Sequence, residues 1–188
     1  MKKLFVMISA GLMLAACGGS SGPGKLNLKA EGKDLVLQVK SGVMRVTEQV
    51  QSRPEWSAAK YEFTLANYDL NTSSDLMKTL AKPEESRVFF RIFGDKATNK
   101  DTPLKPGTYS AEAKEFPMFD NSSLAIFTYA DGRQSVALSM NSPGNATKGQ
   151  VKILSVEGDT VKGEIDITSG TMIAARGNFT AKIKPMTF

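Results

Sequence analysis

Ser57 and Lys60 stand three residues apart, a spacing at which one helical turn would carry an amine onto a serine hydroxyl and activate it as a nucleophile. The residues that follow, Tyr61-Glu62-Phe63-Thr64, alternate like a strand, so the pair reads as a solvated loop entering that strand. Carboxylates offer a second chemistry. Glu112, Glu115 and Asp120 lie close together, and Glu62 and Asp69 lie near aromatic residues. Two such groups about 5–10 Å apart across a cleft could hydrolyse a glycosidic bond, but acidic residues on strands usually face water. Other chemistry is excluded by composition. The 188 residues contain no histidine, which removes Ser-His-Asp triads, Cys-His pairs and histidine-based zinc sites. A single cysteine excludes an internal disulfide and a multi-cysteine metal cage. Met44, Met77, Met118, Met140, Met172 and Met186 have no short regular spacing and read as core filler. Residues 144–149, Gly-Asn-Ala-Thr-Lys-Gly, space their glycines like a phosphate loop, but Gln150 stands where a lysine is needed. They read as a hairpin loop. The expectation is a chain without metal or cofactor and without a catalytic constellation.

The most specific signal is at the N-terminus. Lys2 and Lys3 precede an apolar run over residues 4–16, about 13 residues against the roughly 20 that span a bilayer. The run ends in Leu14-Ala15-Ala16-Cys17, which resembles the lipobox of bacterial lipoproteins. The resemblance implies removal of residues 1–16, a thioether-linked diacylglycerol and an acylated amine, such as a palmitoyl amide, on Cys17, and attachment to the cell envelope. Gly18 and Gly19 follow, with no aspartate, which by the usual enteric sorting rule implies the outer membrane. Residues 17–24 then form the lipidated cysteine and a Gly/Ser-rich tether with a reach of roughly 15 Å. Loss of the two leader lysines lowers the formal charge from +5 to +3, 22 basic against 19 acidic. So weak a charge, without a basic run, excludes nucleic acid as the expected partner.

The elements that must position any site are strands. Leu35, Leu37 and Val39 alternate with Val36, Gln38 and Lys40, and Tyr61, Phe63 and Leu65 alternate with Glu62 and Thr64. The alternation is clearest at the C-terminal end, where Ile173, Ala175, Gly177, Phe179, Ala181 and Ile183 share one face. Residues 88–93 and 124–127 are apolar on both faces and should be central strands. Asp131-Gly132 and Glu157-Gly158-Asp159 mark hairpins, and Pro106-Gly107 precedes another short strand. Residues 74–82 hold the best helix candidate, capped by Ser73 or Ser74 and ended by Pro83. Residues 25–188 are therefore expected to form a single all-β domain, an antiparallel β-sandwich of about ten strands with at most one short helix. A closed β-barrel is the alternative. Its last two hairpins, with a Gly-x-Ile-x-Ile strand and an Arg-Gly-x-Phe strand, resemble those of uncharacterised exported β-sandwich proteins of bacteria.

Two loops depart from a plain sandwich. Phe116-Pro117-Met118-Phe119-Asp120-Asn121 sets three large apolar residues where proline and Asp-Asn signal a loop, and Arg53-Pro54-Glu55-Trp56 carries the only tryptophan. Loop aromatics often bind sugars or protein partners. Trp56, Phe116, Met118 and Phe119 are the candidate binding residues, unless Phe116 and Phe119 fold back to close the core. The expected function is a membrane-anchored, non-enzymatic binding or structural module for a glycan or an envelope protein. A lipid or small apolar ligand carrier and a two-carboxylate glycan hydrolase are the alternatives.

Overall fold

A computed structural model describes residues 24–49, 57–70, 79–139 and 145–184. Among these residues there are twelve strands and no helix. They are β1 Gly24–Ala30, β2 Lys33–Gln38, β3 Ser41–Gln49, β4 Ala58–Ala66, β5 Ser86–Lys96 and β6 Gly107–Ser110. The rest are β7 Met118–Phe119, β8 Ala125–Ala130, β9 Arg133–Leu138, β10 Thr147–Glu157, β11 Thr160–Ser169 and β12 Ile173–Ile183. The helix expected over residues 74–82 falls partly on residues 71–78, outside those described, and residues 79–82 are not helical.

The strands form one continuous open sheet folded over on itself, not a closed barrel. One half runs β6-β10-β11-β12-β1-β2, all antiparallel. The other runs β3-β4-β5-β8-β9, with β7 added beside β8 on β5. The C-terminal end of β12 joins them, because Lys182 and Ile183 pair in parallel with Val43 and Met44 of β3. Phe179 of the first half meets Phe63 and Phe90 of the second edge-on, at 5.5 and 5.6 Å between ring centres. The two halves thus pack face to face over a shared core, as in a sandwich.

Period-two patterning explains which residues fill that core. Ile173, Ala175, Phe179 and Ala181 are buried while Arg176, Asn178 and Lys182 are exposed. Tyr61, Phe63 and Leu65 of β4, and Val88, Phe90 and Ile92 of β5, join them almost without exposure. The turns follow backbone chemistry. Asp131 and Gly132 both have positive φ, 51° and 76°, as a type I′ hairpin requires. Glu31 and Gly32, at 52° and 80°, make the same turn between β1 and β2. Residues 145–149 differ from expectation, while Gly144 lies outside the described residues. Thr147 opens β10, which pairs with β6 and β11, so these residues lead into the other sheet half and do not close a hairpin with β9.

Candidate functional site

The loop aromatics divide between the two faces of β7. Phe119 registers with Ile92 and Met118 with Phe93, so alternation sends Phe119 inward and Met118 outward. Phe119 has no exposed surface and stacks towards Phe90 at 6.5 Å. It belongs to the core, and its assignment as a contact residue is corrected on that ground. Phe116 is half-buried, its ring 5.3 Å from that of Phe93, and Met118 is half-buried beside it. Trp56 and Cys17 lie outside the described residues.

The carboxylates of the two-acid reading meet cations instead of each other. Glu115 accepts a hydrogen bond from Lys96 at 2.9 Å, and that bond and charge hold its carboxyl below the usual range. Asp120 lies 2.9 Å from Arg91 Nε and Glu62 3.2 Å from Lys60. Asp69 receives Lys40 at 2.9 Å. Ser57 and Lys60 do not form the helical pair, because β4 begins at Ala58 and extends the intervening backbone. In a strand, positions three apart point to opposite faces, and the Lys60 amine reaches along β4 to Glu62. Among the described residues no three potential metal ligands cluster.

An open groove lies elsewhere, at the flank where β2 and β9 end the two halves. Among the described residues each of these strands pairs on one side alone, β2 with β1 and β9 with β8. A groove of about 480 Å³ runs between them, floored by Ala30, Leu35, Ser86 and Ala137 and rimmed by the loop at Pro83. Its charged rim is acidic: Glu31, Asp34, Glu84, Glu85 and Asp131 against Lys33 and Arg133. Ser135 donates to Glu31 at 3.2 Å across the flank. Leu80 N–H donates to the Gln134 side chain at 2.9 Å, which docks the segment before Pro83 against the start of β9.

Hairpin geometry fixes which backbone groups face this groove's edge. A two-residue turn makes Ala130 and Arg133 a hydrogen-bonded pair, and such pairs recur at every second residue. Ser139 N–H bonding to Leu124 at 2.8 Å keeps the same phase. The N–H and C=O of Gln134, Val136 and Leu138 therefore point away from β8. By the same count, with Val39 N–H on Gly24 at 3.0 Å, those of Asp34, Val36 and Gln38 point away from β1. Val36, Val136 and Leu138 are also among the exposed large aliphatic residues, at 52, 36 and 53%. None of this is readable from the sequence, because the Asp131-Gly132 turn announces a hairpin without saying that its outer strand borders the same flank as β2.

A smaller recess of about 130 Å³, toward the other ends of β4 and β5, holds two tyrosines. Tyr61 donates to the Thr102 carbonyl at 3.0 Å and Tyr109 to the Lys105 carbonyl at 2.8 Å. Burial, with Asp95 nearby, pushes the Tyr61 hydroxyl up to about 12 and raises Tyr109 still further. Neither is poised to ionise near neutrality. Comparison with protein-family models, with curated proteins and with solved structures finds no match to this chain.

Proposed function

We propose that the chain is a lipid-anchored protein of the bacterial cell envelope whose β-domain is a non-enzymatic binding module. The observation that carries this reading is the acid-rimmed groove between two strand edges that no described strand pairs, beside a core filled by aromatic rings. A carrier would need space between the sheet halves, and Phe63, Phe90, Phe119 and Phe179 occupy that space. A two-carboxylate hydrolase needs its acids facing each other across a cleft, whereas Glu62, Glu115 and Asp120 each sit against a cation. The lipobox-like Leu14-Ala15-Ala16-Cys17 supports the anchor, which would hold the groove near a membrane and its attached polymers.

The anchor is tested by intact mass and fractionation. Mature protein should begin at an acylated Cys17 and partition with membranes, and Cys17→Ala should leave the leader attached. A mature wild-type protein without acyl chains overturns it. The binding reading is tested by placing a photo-crosslinking residue at Ser135, in the groove, and another at Asn178, on the exposed face of β12. A discrete adduct from Ser135 alone, formed in intact envelopes, is the expected result. Identical patterns from both positions overturn the reading.

A further inference from the structure

We propose that β9 receives an extended peptide as an added strand, and that the peptide it selects alternates apolar with basic residues. The inference deepens the binding reading above and rests on the same groove.

The backbone is the first argument. Gln134, Val136 and Leu138 present three N–H and three C=O groups on an edge that no described strand pairs, the template that strand addition uses. Edge strands are commonly blunted by lysine, proline or an inward charge. Over residues 134–138 β9 carries none of these, and two of its five side chains are exposed aliphatics.

The side chains give the selectivity. A strand laid along β9 continues its alternation, so its residues face the two sides of the sheet in turn. On the outer side they meet Val136 and Leu138. On the inner side they face the groove, into which Ser135 and Ala137 point, rimmed by Glu31, Glu84, Glu85 and Asp131. One face of the incoming strand is thus offered aliphatic surface and the other a surplus of carboxylates. Charge complementarity selects lysine or arginine for the second face.

The test uses the chain from Cys17 onward with Cys17→Ser, which keeps every described residue and stays free of lipid. The probe is the peptide Lys-Val-Lys-Val-Lys-Val-Lys with both ends blocked. The amide resonances of Gln134, Val136 and Leu138 should shift on titration and gain protection from hydrogen exchange. Binding should weaken as salt is raised, and Glu-Val-Glu-Val-Glu-Val-Glu should bind at least about tenfold more weakly. Val136→Pro removes an N–H that points to solvent, a position at which an edge strand tolerates proline. It should cut affinity about tenfold or more while the β8–β9 pairing survives. A probe N-methylated at its valines removes the reciprocal bonds, those that an antiparallel added strand donates to the β9 carbonyls, so the result does not depend on the variant folding. Shifts confined to other strands, equal binding of the acidic peptide, or full affinity of the N-methylated probe each overturn the proposal. So does protection of the β9 amides without peptide in a concentration-dependent dimer, since a second copy would then be the occupant. Any of these results leaves the groove-specific crosslink from Ser135 as a separate question.

Discussion

Phe90 and Phe119 face each other at 6.5 Å between ring centres, one from the middle of β5 and the other from the two-residue strand that closes its end. The contact makes the 116–119 loop a plug for the core. Phe119→Ala should lower the unfolding free energy by about 3–5 kcal/mol, the cost of emptying a filled aromatic site. Phe116→Ala, half-buried against Phe93, should cost about 1 kcal/mol. Urea denaturation of the two variants separates them, and equal losses would mean that Phe116 is core as well.

Strand identity was legible because the core pattern is local. The alternation of Tyr61, Phe63 and Leu65, or of Ile173 through Ala181, is set by the pleat and by which face is dry. The Asp131-Gly132 turn was legible because few residues tolerate two successive positive φ angles. Phe116 to Phe119 was harder. Proline correctly signalled a loop, but the sequence carries no mark that two residues after it rejoin β5 and turn one ring inward. The groove was harder still. It exists because β2 and β9 are both terminal in a strand order that skips along the chain, and pairings between β12, β1 and β3 decide that order.

Gly163 shows how such a distant pairing constrains a single residue. It registers between Ile153 and Phe179 on the inner face. A Cβ there would come within 2.5 Å of Phe179 Cζ and 2.9 Å of the Lys152 carbonyl oxygen. Glycine is required for space, because the aromatic ring lies where a side chain would begin. Gly163→Ala should destabilise by about 1–3 kcal/mol. Phe179→Leu in the same chain should recover part of that loss, a coupling that a double-mutant cycle measures. Strict additivity would show that the ring is not the obstacle.

Asp120 fixes the turn that leads from β7 to β8. Its Oδ1 accepts from Ser122 N–H and hydroxyl at 3.1 and 2.8 Å, while Oδ2 lies 2.9 Å from Arg91 Nε. The Asp120 carbonyl also accepts from Ser123, N–H at 2.9 Å and hydroxyl at 2.7 Å. Asp120→Asn keeps the shape but removes the charge facing a partly buried guanidinium. It should cost about 1–3 kcal/mol. Thermal unfolding of the variant checks this, and an unchanged midpoint would mean that the turn's hydrogen bonds suffice without the ion pair.

Alkaline stability should be limited by the tyrosine recess. Burial first, and the negative charge of Asp95 second, raise the Tyr61 hydroxyl from 10.0 in the unfolded chain to about 12. The folded state therefore holds a proton that the unfolded state releases earlier. Its stabilising contribution is complete below about pH 10 and is lost as the pH rises towards 12. Tyr109 shifts in the same direction, for burial and for the charges of Tyr61 and Asp95. The unfolding free energy should fall steeply across that interval, and tyrosinate absorbance should rise together with unfolding. Tyr61→Phe should weaken the dependence while costing about 1 kcal/mol at neutral pH, through the lost bond to the Thr102 carbonyl. A variant whose stability falls with pH as steeply as the wild type would assign the alkaline transition to other groups.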